Sequence, residues 1–162
     1  MDYKLFFWLF NLAQKNRCLG NIAIIATKAS SKIFFIIYIA VLISLALQRD
    51  TENFILCVWI PFLALCVTLF LRKIIHRPRP YQTFDIEIQV GRKEKFSFPS
   101  NHSASASIIA ITCLYCYFPL GIFMCALALF TGISRILTGV HYPSDVLAGF
   151  VLSSIIGLLY LL

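Results

Sequence analysis

The chain has 162 residues, 60% of them hydrophobic and 13% charged, against roughly 45–50% and 25% in soluble domains. A domain of that size cannot hide so much apolar surface from water, so its solvent is a lipid bilayer; intrinsic disorder and nucleic-acid coating are excluded. The net charge of +7 comes from 14 Lys and Arg against 7 Asp and Glu, and the basic residues fall between apolar runs, where they suit lipid headgroups or an anionic substrate.

Residues 5–12 carry Trp8 and three Phe after Lys4. No small-residue cleavage site follows, so this run is expected to lie as an amphipathic helix in the interface, within an N-terminal interfacial segment 1–30. Five longer apolar runs come next, at 33–47 (extendable back through Ala29 to Ile22), 54–71 with a kink expected at Pro61, 104–118, 120–133 and 146–162. Each is near the lower limit of the ~17–25 residues a span needs, and none alternates with the period of a strand. The expected fold is all-α: one domain, a polytopic transmembrane bundle of about five spans plus the N-terminal interfacial helix. Ser103, Ser107, Ala106 and Ala110 in one run, and Gly149, Ser153 and Gly157 in another, sit at four-residue spacing that lets helices approach closely in lipid. The six cysteines, Cys113-x-x-Cys116 included, lack zinc-site spacing and read as small packed thiols.

Two polar segments interrupt the runs, 72–103 and 134–145, and alternating spans put both on one side of the membrane. The first opens with Arg72, Lys73, Arg77 and Arg79 around the stiffening Pro78 and Pro80. Like charges this dense repel unless an anion sits among them, and guanidinium forks phosphate oxygens. At its end, Pro99-Ser100-Asn101-His102 provides an N-cap at Ser100, helix-start amides suited to an anion, and a titratable ring beside them. The second segment carries Ser134 and Arg135, then His141 four residues before Asp145. A carboxylate on one imidazole nitrogen fixes the tautomer and leaves the other nitrogen to attack. Each reading has a plain structural alternative: a headgroup patch, a simple cap, a first-turn acid. Together they supply charge neutralisation, a nucleophile and an acid for a leaving oxygen, which are the needs of phosphoryl transfer without a metal.

These segments resemble the three-motif signature of the type 2 phosphatidic acid phosphatase superfamily, over residues 54–162. Arg72 stands at the Lys of Lys-x6-Arg-Pro, completed by Arg79-Pro80, with Lys73 one residue out of register. Pro99-Ser100-Asn101-His102 matches Pro-Ser-Gly-His except at Asn101, and Ser134, Arg135, His141 and Asp145 match Ser-Arg-x5-His-x3-Asp fully. The resemblance implies a membrane lipid phosphatase with His141 as nucleophile through a phosphohistidine, Asp145 orienting it, and His102 as the acid and then the base. It implies a phosphate site made by Arg72, Arg79, Ser100, Asn101 and Arg135. It implies no metal, no other cofactor and no obligate protein partner; the partners are a lipid phosphate or diphosphate substrate and membrane lipids. Arg72 brings a wider fork than Lys, and Asn101 tolerates a positive φ if the turn requires one.

By the same analogy the substrate is a polyprenyl diphosphate, undecaprenyl diphosphate first. The short 80–99 loop leaves little protein to grip a large headgroup. Phosphatidylglycerophosphate, phosphatidate and lipid A phosphates are the alternatives, and a non-catalytic lipid carrier or flippase is the reading from another class. A bacterial cytoplasmic membrane is expected, with the active face outward as in bacterial relatives. The charge count points the other way: of the 14 Lys and Arg, only Arg49 falls opposite the active face, and positive charge favours the cytoplasm.

Overall fold

A computed structural model describes residues 2–84, 86–88, 90–91 and 96–162. The rest of the 72–103 segment (85, 89 and 92–95) lies outside the described residues. Among the described residues seven α-helices follow one another: α1 (Asp2–Lys15), α2 (Arg17–Leu47), α3 (Thr51–Ile74), α4 (Pro80–Thr83), α5 (Asn101–Cys116), α6 (Phe118–Leu137) and α7 (Pro143–Gly157), which ends in a 3-10 turn, Leu158–Leu161. The chain is an all-helical integral membrane bundle, with no strand among the described residues.

Four helices are long and apolar enough to cross a membrane: α2, α3, α6, and α7 with its 3-10 turn. The fifth expected span is α5, and it is only 16 residues long, roughly 24 Å. It nevertheless runs from the polar end of the bundle at Asn101 to Cys116, whose Sγ lies 3.3 Å from Cys57 Sγ on α3. It is the central helix, packed against α2, α3, α6 and α7, so its neighbours shield its ends from lipid. Its Ala106, Ile108, Ala110 and Cys113 belong to the main core with Phe34, Val41, Ile60, Met124 and Ala128. The outward faces stay apolar: Trp59 is 62% exposed and Phe70 likewise, as lipid contact requires.

α2 departs from the sequence expectation. It begins at Arg17, well inside the proposed interfacial segment, because Asn16 caps it by accepting from the amides of Cys18 and Leu19 at 3.1 and 3.2 Å. Its 31 residues extend roughly 46 Å, longer than the ~30 Å hydrocarbon core. Lys28 and Lys32 interrupt the apolar run yet are exposed, where long stems can carry their charge outward. Only α1 keeps an interfacial form. It buries Phe6, Phe10 and Ala13 and exposes Tyr3, Leu5, Trp8 and Leu12. α3 stays continuous through Pro61, and the short α4 had no periodicity to announce it.

The small-residue stripe joins α5 to α7. Gly149 faces Ser100 O, Ala104 N and Ser103 Cβ so closely that a Cβ would stand 2.9, 3.0 and 3.2 Å from them. Four residues on, Ser153 Oγ donates to Ala104 O at 2.7 Å. This close seam brings the starts of α5 and α7 together at one end of the bundle.

Candidate active site

The ends of α3, α5, α6 and α7 meet at that end, and each delivers one part of the site. Arg72 lies in the last turn of α3 and donates from Nη2 to Phe96 O at 2.7 Å. The chain leaves the helix at Ile75 and turns irregularly to Arg79, the N-cap of α4, which is almost wholly buried and donates from Nη1 to Val140 O at 3.2 Å. Ser100, fully buried, caps α5: its Oγ accepts from Ser103 N at 3.4 Å and Ser103 Oγ at 2.9 Å, and its N–H donates to Asp145 O at 3.0 Å. Asn101 and His102 open α5. Asn101 is helical, so no positive φ is required where the motif has Gly. Arg135, in the last turn of α6, places Nη2 3.3 Å from His102 Nδ1. Guanidinium can only donate, so Nδ1 accepts there and the neutral ring carries its proton on Nε2.

His141 sits between α6 and α7, on a turn that Gly139 makes possible with φ of +78°. His141 and Asp145 are both wholly buried, with Nδ1 3.6 Å from Oδ2. That is longer than a hydrogen bond, and among the described residues neither ring nitrogen has one. Asp145 Oδ2 instead accepts from Tyr142 N at 2.9 Å, which fixes the carboxylate at the start of α7. Burial first, and then the charges of Arg79 and Arg135, followed by His102 when protonated and by Arg72, hold the His141 pKa well below the ordinary histidine value. A buried cation among cations is costly, so the ring is neutral. All eight sequence-derived site residues therefore gather at one end of the bundle, and four of the cationic or titratable ones act on the same imidazole.

Arg77 does not join them. Its Nη1 donates to Asp145 Oδ1 at 2.6 Å and its Nη2 to Asp2 Oδ2 at 2.5 Å. Its guanidinium lies 4.1 Å above the Tyr142 ring. Sequence reasoning placed Arg77 with the anion-binding arginines and passed over Asp2; no spacing connects α1 to α7. Among the described residues, no three His, Cys, Asp or Glu side chains gather to ligate a metal.

A cavity of about 510 Å³ opens beside the site. Asn101 and His102 stand at its polar end. It continues between α2, α3 and α5 along Phe34, Phe35, Pro61, Phe62, Leu65 and Ile109.

A membrane helical bundle with a buried, neutral imidazole among arginines at one end is the arrangement expected of a membrane-embedded phosphatase. The chain belongs to the PAP2 superfamily, whose family model matches residues 53–162, and it is a hydrolase of the lipid phosphatase kind. It is 29% identical to undecaprenyl-diphosphatase BcrC of Bacillus subtilis, over 99% of this chain and 82% of that protein. It is 31% identical to decaprenylphosphoryl-5-phosphoribose phosphatase of Mycobacterium tuberculosis, over 74% of this chain and 66% of that one. Its fold superposes on Aquifex aeolicus LpxE with a TM-score of 0.81 at 23% identity, covering 99% of this chain and 94% of the other.

Proposed function

We propose that the chain releases phosphate from a polyprenyl diphosphate, undecaprenyl diphosphate in the first place, through a phosphohistidine on His141. The observation that carries the substrate reading is the cavity: it leads from His102 directly into an apolar gap between α2 and α3. The first isoprene units would lie along Phe34, Phe62 and Leu65, and the remaining tail would stay in lipid. The similarity to undecaprenyl-diphosphatase BcrC along nearly the whole chain supports the same choice.

In the first step His141 Nε2 attacks phosphorus, an N–P bond forms, and the P–O bond to the leaving group breaks. Nδ1 faces Asp145, whose charge favours the cation that forms on the ring. Arg72, Arg79 and Arg135 take the phosphoryl oxygens, with Ser100 and the Asn101 amide. The incoming phosphate competes with His102 for Arg135. His102 Nδ1 is then released to take a proton from solvent, and the imidazolium donates from Nε2 to the leaving oxygen. Water next attacks phosphorus, His102 Nε2 accepts its proton, the P–N bond breaks, His141 is restored neutral, and His102 returns the Nδ1 proton to solvent.

Phosphate release tests the reading: undecaprenyl diphosphate, phosphatidylglycerophosphate, phosphatidate and a lipid A 1-phosphate are offered to purified protein in detergent. The polyprenyl diphosphate should be turned over fastest, rapid quenching should trap acid-labile phosphate on His141, and His141→Ala should abolish both. Preference for a glycerophospholipid would overturn the substrate, and a fully active His141→Ala would overturn the mechanism. We also place the site on the outer face of a bacterial cytoplasmic membrane, with the family and against the charge count. Labelling of a cysteine engineered into the 80–99 loop by an impermeant reagent in intact cells supports this, and labelling only after lysis reverses it.

A further inference from the structure

We propose that Asp2 and Arg77 are positioning residues of the active site: α1 sets the Asp145 carboxylate against His141 through a closed ring of hydrogen bonds. The inference rests on the phosphatase reading above and adds residues outside its motifs.

The ring is built from both ends. Arg77 Nη1 donates to Asp145 Oδ1 and to Ser144 Oγ, both at 2.6 Å. Ser144 Oγ donates to Asp2 Oδ2 at 2.6 Å, and Arg77 Nη2 donates to the same oxygen. Asp2 Oδ1 accepts from Ser144 N at 3.1 Å, so a carboxylate from α1 satisfies an amide at the start of α7. Burial alone would raise the Asp2 pKa, but hydrogen bonds from Ser144 and Arg77 overcome it and leave the carboxyl below its usual range. Packing holds the ring in place. Phe6 of α1 is wholly buried against Tyr142, with centroids 5.5 Å apart, and Arg77 covers the ring of Tyr142, whose backbone N–H donates to Asp145 Oδ2.

The physical need is clear. Asp145 is wholly buried with its nearest imidazole neutral, and burial disfavours its charged form, so a cation beside it is what favours the carboxylate. Arg77 is that cation, on the oxygen that His141 does not face, leaving Oδ2 toward Nδ1. One guanidinium serves both Asp145 and Asp2 by using its two arms; an ammonium has no such fork. Arg77 thereby fixes Asp145, and Asp2 fixes Arg77.

The test is a double-mutant cycle of Asp2→Asn and Arg77→Gln, with Arg77→Lys as the conservative variant. Two readouts are taken, steady-state turnover of the best lipid phosphate and binding of orthovanadate, which probes His141 without any lipid. In Arg77→Gln kcat should fall roughly 10–100-fold, the loss typical when an outer partner orienting a functional side chain is removed. KM should stay within about twofold, because neither residue touches substrate. Asp2→Asn should lose less than Arg77→Gln and cost nothing further in its background, since it acts through Arg77. Arg77→Lys should recover part of the loss, and vanadate affinity should fall in step with kcat. A thermal melt of each variant in detergent confirms folding, and a variant that melts with wild type yet loses kcat supports positioning. Wild-type kcat in Asp2→Asn, independent multiplying losses, or a raised KM with kcat intact would each overturn it. Wild-type protein that turns over no lipid phosphate and binds no vanadate would instead remove the phosphatase reading.

Discussion

Gly149→Ala tests whether the α5–α7 seam sets the site. An added Cβ would stand 2.9 Å from Ser100 O and 3.0 Å from Ala104 N, both backbone atoms that cannot rotate aside, where ordinary contact begins at 3.4 Å. The helices must therefore part by about 0.5 Å. Asp145 lies one turn before Gly149, and its carbonyl accepts from Ser100 N at 3.0 Å, so the opening falls directly on the junction between the Ser100 cap and the His141–Asp145 pair. Overpacking of this kind costs about 1–3 kcal/mol of stability. A misplacement of about 1 Å in a site costs about 10² in rate, so half of that predicts a loss of roughly tenfold in kcat.

The contrast is built into the same stripe. At Gly157 the nearest atoms to an added Cβ all belong to the Ile111 side chain, at 2.9 and 3.1 Å, and any adjustment there falls two turns further along α7, away from the Ser100–Asp145 junction. Gly157→Ala should therefore leave kcat unchanged. Ser154→Ala, on the exposed face of α7, controls for the surface. Phosphate release and thermal melts in detergent read all three variants. A Gly149→Ala protein with wild-type kcat and melting temperature would refute the claim that this seam holds the two helix starts in register.

Two further outcomes follow from the geometry of the cations. Arg72→Lys should keep much of the activity and Arg72→Ala should lose about 10²–10³ in rate, as for removal of one charge-stabilising donor; Lys73→Ala, at an exposed position, should be mild, and the reverse ranking in a kcat series would move the phosphate contact to Lys73. Because burial and neighbouring cations lower His141, the neutral, reactive ring persists below the ordinary histidine pKa of 6.5, so the acid limb of kcat/KM should lie below that value. Arg79→Gln removes one lowering charge and should move that limb to higher pH, and a shift toward lower pH would contradict the assigned electrostatics.

That the candidate residues gather at one end of the bundle was legible because fixed spacing sets them on helix ends. His141 and Asp145 are one turn apart across a loop and a helix start, and Ser100 to His102 are consecutive. Arg77 shows what spacing cannot carry. It stands in the same basic run as Arg72 and Arg79, yet the chain from Ile75 to Arg79 is irregular rather than helical, so no period says which way each guanidinium points. Asp2 is invisible for a simpler reason: its partners lie on α3's exit and α7, and only tertiary packing of Phe6 on Tyr142 brings it there. The start of α2 was hidden by Lys28 and Lys32, which break the apolar run but not the helix. A charge that can reach the interface on a long stem costs the helix little.

The distribution of charge at the site explains why one end of so apolar a bundle can wait for an anion. The carboxylates of Asp2 and Asp145 both engage the same guanidinium, that of Arg77. This engagement fixes the geometry of α7's start, and the positive charge of Arg72, Arg79 and Arg135 bears on a neutral His141 instead. In the proposed mechanism an entering phosphate meets that charge in a site largely closed to water, where each contact is stronger than at an exposed surface. There the negative charge of the phosphoryl group offsets the repulsion that disfavours a cationic imidazole, so phosphoryl transfer itself eases positive charge onto the ring. On that reading substrate binding and nucleophile activation are two consequences of one arrangement of charge, and the apolar cavity beside His102 suits anions that bring their own hydrocarbon.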